Sequence, residues 1–185
     1  MYVYGMETHS LTSEDWLNLA LVELKDHGYN ALKAQPLAKK LGVTRGSFYY
    51  HFESLETFHA AVIGHWSQNT SGQIAQAAQE VSDPRAALDD LLQKTLCSGE
   101  VLERAIRSWS TVDLAVADAV EQVDEERIRV AEGLLIKAGV EGRTAKARAK
   151  LLYWAAIGRL MLPFPTNNRL SPAEISDFAK LMFQD

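Results

Sequence analysis

The spacing of apolar residues predicts helices along most of the chain. In the first segment, Trp16, Ala20 and Leu24 recur every four residues and therefore share one face of a helix. Hydroxyl and acidic residues at 12–15 precede this stripe and Gly28 follows it, which is typical of a helix start and end. Because no segment alternates apolar and polar residues, we expect an all-α fold of about nine helices.

Caps, prolines and glycines divide the rest of the chain into further helices. Pro36 is tolerated in the first turn of a helix, whereas Pro163 and Pro165 end one. The segments predicted to follow the first helix are 33–41, 44–50, 54–81, 83–96, 100–110, 111–138, 143–162 and 171–182.

The second and third segments together predict a helix-turn-helix. Gly42 allows a tight turn between them, and Thr44 can cap the helix that follows. That helix has side chains able to reach phosphates or base edges, namely Arg45, Ser47, Tyr49, Tyr50 and His51. A helix of this content fits the major groove of DNA.

The distribution of charge agrees with a local DNA-binding surface. The net charge is -5, yet residues 33–51 contain Lys33, Lys39, Lys40 and Arg45 and no acidic residue. Four cations on two helices could equally form an ordinary solvated surface. The adjoining helix-turn-helix pattern favours a basic patch for nucleic acid.

A series of short motifs at fixed spacing resembles the TetR family of transcriptional regulators. These motifs are Gly28-Tyr29, Leu37-Ala38, Leu41-Gly42-Val43-Thr44, Gly46-Ser47-Phe48-Tyr49 and His51-Phe52. The resemblance covers roughly residues 12 to 60. It implies a three-helix helix-turn-helix DNA-binding domain at residues 1–58, followed by a helical ligand-binding and dimerisation domain at residues 59–185.

The resemblance also implies roles for individual residues at the DNA. Arg45, Ser47 and Gln35 match positions that read bases, and Gly46 lets the helix approach closely. The residues expected to contact phosphates are Thr44, Tyr49, Tyr50, His51 and Lys33, of which Lys33 replaces a usual hydroxyl. Leu55 stands where the family commonly has a phosphate-binding Lys, which leaves open a protein with weakened DNA binding. A buried role for Tyr49 also remains open.

In TetR-like proteins the second domain holds a ligand cavity, so we expect one here. Large side chains with polar groups on the middle helices are candidates to line it: Trp66, Asn69, Thr95, Trp109, Asp113, Tyr153 and Trp154. Each of them could instead belong to the core or to an interface. Cys97 is expected to be a small buried residue rather than a redox switch.

Charged residues within the apolar helix patterns need partners. Arg107 with Asp124, or Asp113 with Arg127, would connect neighbouring helices. Direct contact of these four residues with a ligand is the alternative.

The last two predicted helices, at about 143–162 and 171–184, are expected to form a homodimer interface. Small and apolar residues that allow close helix packing are Ala145, Ala149, Leu152, Ala155, Ala156, Gly158, Leu162, Ile175, Phe178, Leu181 and Met182. Two such helices from each protomer would form a four-helix bundle. A two-fold dimer presents two recognition helices, so its DNA operator should be near-palindromic.

Other classes of protein find no support in the sequence. There is no metal-ligand spacing, nucleophile–base pattern or phosphate loop, so we expect neither an enzyme nor a bound metal or cofactor. No run approaches the roughly 18 apolar residues of a membrane span. We expect no signal peptide and a cytoplasmic location, with Met1 and Met6 both possible starts.

The sequence therefore predicts a homodimeric transcriptional regulator, expected to be a repressor that a small-molecule effector releases from its operator. Two alternatives stay open. One is a DNA-binding protein without ligand control, and the other is a helical ligand-binding protein with weakened DNA binding.

Overall fold

The computed structural model describes residues 11–79, 83–97, 100–162 and 170–183. Within these ranges the chain forms nine helices and no strand, which confirms the predicted all-α fold. The helices are α1 (Ser13–His27), α2 (Ala34–Lys40), α3 (Arg45–His51), α4 (Leu55–Gln79), α5 (Pro84–Cys97), α6 (Glu100–Ser110), α7 (Leu114–Lys137), α8 (Gly142–Leu160) and α9 (Pro172–Leu181). Among the helices so described, none is both long and apolar enough to cross a membrane.

The first helix begins and ends at the predicted signals. The Thr12 hydroxyl accepts a hydrogen bond from the Asp15 amide at 3.3 Å, and the Asp15 carboxylate accepts one from the Thr12 amide at 2.8 Å. This reciprocal capping box satisfies two amide groups that the helix itself leaves unpaired. Gly28 ends α1 with a φ of +74°, a conformation that favours glycine, and a short 3₁₀ turn at Tyr29–Ala31 follows.

The turn between α2 and α3 forms as predicted, but the Thr44 side chain does not cap α3. Gly42 has a φ of +70°, and the Val43 amide returns to the Ala38 carbonyl at 3.0 Å. Thr44 occupies the cap position with an extended backbone but makes no side-chain cap hydrogen bond. The Ser47 amide donates to the Thr44 main-chain carbonyl at 3.0 Å instead. This amide at the start of α3 therefore needs no side-chain acceptor.

An aromatic core joins α1, α3 and α4. Phe48 of α3 is fully buried and meets Trp16 of α1 and Phe58 of α4 edge-on, at centroid distances of 5.4 and 5.0 Å. Phe52 lies 4.9 Å from Phe58. Phe48 and Phe52 therefore both belong to the buried core. Burial of these rings fixes α3 against α1 and α4, and its opposite face is left to solvent.

The remaining helices form the body of the protein. The described part of the whole chain has two clusters of buried apolar residues. One joins α1–α4, α6 and the first half of α7, and the other joins α5, the second half of α7, α8 and α9. The predicted boundary at residue 58 falls inside α4, whose first turns share the amino-terminal core.

Several helix ends differ from the predicted ones. The α7 helix begins at Leu114 rather than residue 111, because the Asp113 carboxylate caps it, accepting from the amides of Ala115 and Val116. Ser171 likewise caps α9 from outside the helix. The predicted end of the fourth helix, Val81, lies outside the described residues.

Candidate nucleic-acid interface

The face of α3 opposite Phe48 presents polar side chains to solvent. Arg45, Gly46, Tyr49 and Tyr50 are exposed, and Tyr50 has 86% of its surface accessible. The other predicted contacts of this helix, Ser47 and His51, are half-buried. Tyr49 is 46% exposed, so the alternative of a buried Tyr49 is wrong. The five predicted contacts of α3 therefore lie on one short helix that the aromatic core holds in place.

Arg45 and Tyr49 contact each other one turn apart on this helix. The Arg45 Nη2 donates a hydrogen bond to the Tyr49 hydroxyl at 3.0 Å, and the guanidinium carbon lies 5.3 Å from the centre of the phenol ring. Residues four apart are neighbours on a helix surface. The sequence placed these two residues in separate roles and did not predict the pair.

The start of α2 contributes two further exposed side chains. Lys33 precedes the helix with an extended backbone, and Gln35 lies in its first turn. Thr44, between α2 and α3, is exposed as well. Each of these predicted contacts is thus accessible to a ligand outside the protein.

One of the four basic residues predicted for the patch is bound within the protein. Lys40 donates a hydrogen bond to Glu23, a carboxylate of α1 that is otherwise buried. The sequence missed Glu23, which occupies a position on the inner side of α1. This ion pair fastens α2 to α1 and neutralises Lys40 locally, so Lys33, Lys39 and Arg45 carry more of the patch's positive charge.

Comparison with known proteins identifies the amino-terminal region. Residues 17–62 match the sequence model of the family described as "Bacterial regulatory proteins, tetR family". These residues form a TetR-family domain. They include α2, α3 and the Gly42 turn, so the match covers the helix-turn-helix described above. A search of curated proteins gives no significant match.

Solved structures extend the likeness to the whole fold. A TetR transcriptional regulator from Legionella pneumophila has a TM-score of 0.75 at 19% identity, covering 96% of this chain and 100% of that one. A TetR regulator from Haloarcula marismortui has a TM-score of 0.74 at 20% identity, covering 92% and 95%. A candidate transcriptional regulator from Saccharomonospora viridis, in complex with choline, has a TM-score of 0.75 at 15% identity, covering 91% and 93%. The protein thus has the fold of a TetR-family regulator.

The TetR-family domain departs from the usual pattern at Leu55. Leu55 is half-buried and packs against the aromatic core, at the first residue of α4. Its side chain therefore supports the domain from inside rather than reaching a phosphate.

The predicted ligand contacts whose side chains the structure describes lie in different surroundings. Trp66 and Trp109 are buried in the first cluster, Asn69 is exposed beside His65, and Trp154 is 60% exposed on α8. Asp113 is committed to capping α7. The side chains of Thr95 and Cys97 lie outside the described part of the structure.

Charged groups of the body bind one another instead. Arg107 donates to both carboxylate oxygens of Asp124, at 3.0 and 2.7 Å, and to the Tyr153 hydroxyl at 2.8 Å. The predicted Arg107–Asp124 pair is confirmed. The proposed pairing of Asp113 with Arg127 is wrong, because Arg127 donates to both oxygens of Glu103, at 2.9 and 3.0 Å. Glu103 also accepts from Arg107 at 2.7 Å, so one network links α6, α7 and α8.

Glu103 is the member of this network that the sequence analysis missed, although its i, i+4 spacing to Arg107 was a signal. Burial would raise the pKa of Glu103, but hydrogen bonds and charges from Arg127 and Arg107 outweigh burial and lower it. Burial, with a hydrogen bond to Asp124, raises the pKa of Tyr153. Both effects keep Glu103 ionised and Tyr153 protonated at neutral pH, the states in which the network is complete.

A groove with a volume of about 560 Å³ lies between α5 and α9. Its walls include Arg85 and Phe183, whose side chains stack with 5.0 Å between the guanidinium and the ring centre. Ser176 donates to Asp89 across it at 2.8 Å. Among the predicted ligand contacts whose side chains the structure describes, none lines this groove.

The small residues predicted for a dimer interface divide between two faces of α8. Ala145, Ala149, Leu152 and Ala156 are buried within the protomer, in the cluster that contains Leu134 and Leu135 of α7. On α9, Ile175 and Ala179 are buried in the same cluster. A second apolar stripe of α8 faces solvent, at Ala147, Leu151, Trp154, Ala155, Gly158, Met161 and Leu162. Leu151 is not among the residues predicted for the interface.

Proposed function

We propose that this protein is a homodimeric transcriptional repressor that binds a near-palindromic operator and is released from it by a small-molecule effector. The observation that carries the proposal is the TetR-family domain with an exposed polar face on α3. We propose 1–58 as the DNA-binding domain and 59–185 as the body that receives the effector and forms the dimer.

The exposed residues of α2 and α3 divide between base reading and backbone binding. Arg45 can pair in a fork with guanine O6 and N7, Gln35 can pair with adenine, and Ser47 can bind either. Gly46 has no side chain, so α3 can approach the bases closely. Phosphate contacts, which fix the position of the protein but carry no sequence information, are assigned to Lys33, Thr44, Tyr49, Tyr50 and His51.

Dimer formation is supported by the exposed apolar stripe of α8. Leu151, Trp154, Gly158 and Met161 follow one another at intervals of three or four residues, so they share one face of the helix. Large exposed apolar surfaces of this kind mark protein–protein interfaces. A second copy of the chain could cover the stripe with its own α8, with Gly158 allowing close approach.

Release by an effector requires coupling between the body and α3, and α6 is placed to provide it. Arg107 joins α6 to α7 and α8. Two residues further on, Trp109 contacts Tyr29, which follows α1, and His59 of α4. A molecule that moved α6 against α7 would therefore also move the amino-terminal domain. Such a molecule must bind the released form more tightly than the DNA-bound form.

The choline-bound structure of similar fold supports a small organic molecule as the class of effector. A DNA-binding regulator without an effector is the second candidate. It is favoured by two observations: Arg107 and Arg127 are satisfied by Asp124 and Glu103 within the protein, and Asp113 caps a helix.

The test is selection of bound duplexes from a random DNA pool by the full-length protein at physiological salt. We expect enrichment of a near-palindrome with half-sites about one helical turn apart. Enrichment of a single half-site would contradict the dimer, and no enrichment would contradict sequence-specific regulation altogether. Screening small molecules for release of the enriched duplex then separates the two candidates.

A further inference from the structure

We propose that Tyr49 positions Arg45 for base reading, so that Tyr49 contributes to sequence discrimination as well as to affinity. The proposal rests on the proposed DNA-binding function. Its basis is the hydrogen bond of 3.0 Å from Arg45 Nη2 to the Tyr49 hydroxyl, with the guanidinium 5.3 Å from the ring centre. The hydroxyl and the ring thus hold the same guanidinium.

Tyr49 can act as a fixed support because its ring is itself held. It meets the ring of Phe48 edge-on, with 5.2 Å between centroids and 84° between planes. Phe48 is fully buried in the aromatic core against Trp16 and Phe58. The orientation of the Tyr49 ring therefore derives from the core of the domain, although nearly half of the residue is exposed.

The hydrogen bond leaves Arg45 able to read a base. A guanidinium has five N–H donors, and the bond to Tyr49 uses one of them. The remaining donors still include a pair in the fork geometry that matches guanine O6 and N7. The Tyr49 hydroxyl accepts in this bond, so its own proton stays available for a phosphate oxygen.

Positioning gives an advantage because arginine has many rotamers in solution. A side chain that is already held near its bound orientation loses less conformational freedom when it meets the base. Phe at position 49 would keep the ring contact but remove the hydrogen bond that fixes the guanidinium. Arg45 would then discriminate less between its preferred base pair and the others.

This inference differs measurably from a phosphate contact alone. A hydroxyl that only binds phosphate strengthens binding to every sequence by the same factor. A hydroxyl that positions Arg45 strengthens binding most where Arg45 reads its preferred base. The two roles of Tyr49 therefore separate in the ratio of affinities for two DNA sequences.

The experiment uses the full-length protein and the duplex enriched from a random pool, with each of its base pairs changed in turn. Affinities are measured by fluorescence anisotropy at one salt concentration for wild type, Arg45→Ala, Tyr49→Phe and the double variant. We expect Tyr49→Phe to reduce preference on the order of 3- to 10-fold. This loss of preference should occur at the same base pair at which Arg45→Ala abolishes the preference. At that base pair the double variant should show the same ratio of affinities as Arg45→Ala.

The control is Tyr50→Phe, which removes the neighbouring exposed hydroxyl. It should weaken binding to all duplexes alike and leave the preference unchanged. If Tyr49→Phe behaves like Tyr50→Phe, the positioning role is wrong and the proposed function stands. If wild type prefers no sequence, the proposed function fails first, and this inference with it.

Discussion

The phenol ring of Tyr29 lies parallel to the indole of Trp109, with 6.5 Å between centroids and 5° between planes. Tyr29 follows α1, whereas Trp109 lies in the last turn of α6. His59 of α4 meets the same indole edge-on at 5.3 Å and binds the Leu32 carbonyl through its Nε2. Contacts from two sides therefore join the TetR-family domain to the helix that carries Arg107.

We expect Tyr29→Leu to lower the free energy of unfolding by about 0.5–1.5 kcal/mol, because it keeps apolar bulk but loses the aromatic pair. Urea titration followed by circular dichroism measures the change. The matched control is Tyr50→Leu at an exposed position, which should leave the free energy unchanged within error. Equal losses in both variants would show that the stack with Trp109 contributes nothing.

Arg45→Ala is expected to reduce discrimination between the preferred base pair and its alternatives by about 1–3 kcal/mol. Lys33→Ala should instead lower the affinity for all DNA sequences by the same factor. It should also reduce the salt dependence of binding by about one phosphate contact. Competition binding with single-base variants of the selected duplex, at two salt concentrations, measures both quantities. Unchanged base preference in Arg45→Ala would refute its assignment to base reading.

Glu103→Gln is expected to lower the free energy of unfolding by about 2–4 kcal/mol, because Arg107 and Arg127 lose the charge that they share in a largely buried network. Denaturant unfolding is the measurement. Asp177→Asn provides the control, since it breaks an ion pair to Lys180 that is mostly exposed. We expect no measurable change from that control. A stable Glu103→Gln protein would mean that Asp124 alone satisfies both arginines.

The same carboxylate makes the body sensitive to acid. Arg127 and Arg107 lower the pKa of Glu103 below its ordinary value of 4.5 despite burial. A carboxyl whose pKa falls on folding adds stability that is complete above the ordinary pKa and is lost as the pH falls through the folded value. The stability difference between wild type and Glu103→Gln should therefore shrink below a pH of about 4. A difference that stayed constant down to a pH of about 3 would argue against an ionised Glu103.

Trp154→Glu is expected to raise the dimer dissociation constant at least about 30-fold, as removal of a central aromatic contact does in other interfaces. Analytical ultracentrifugation measures the mass at several concentrations. Lys150→Glu is the control, because it also changes the charge of α8 but at a position that is already charged and exposed. Iodide should quench Trp154 fluorescence only in the monomer. A monomeric wild type would exclude the α8 interface.

The helix-turn-helix could be predicted from sequence because its determinants are local. Gly42 supplies a positive φ, and Phe48 lies on the inner face of a short helix, so neighbouring residues suffice to define the turn. The cap of α3 could not be predicted in the same way. A hydroxyl at Thr44 permits a side-chain cap. In the structure, however, the Ser47 amide donates to the Thr44 main-chain carbonyl and leaves the hydroxyl unused as a cap.

The residues that share a helix face could be predicted from the sequence alone, because the helical repeat is a property of the backbone. It did not determine which face is covered. Both stripes of α8 are apolar, and only the packing of α7 against Ala149 and Leu152 leaves Leu151 and Trp154 to solvent. The partners of Arg127 were likewise decided by the tertiary structure. Helices α6 and α7 meet so that Glu103 comes within hydrogen-bonding distance, while Asp113 is held at the end of α7 by its own helix.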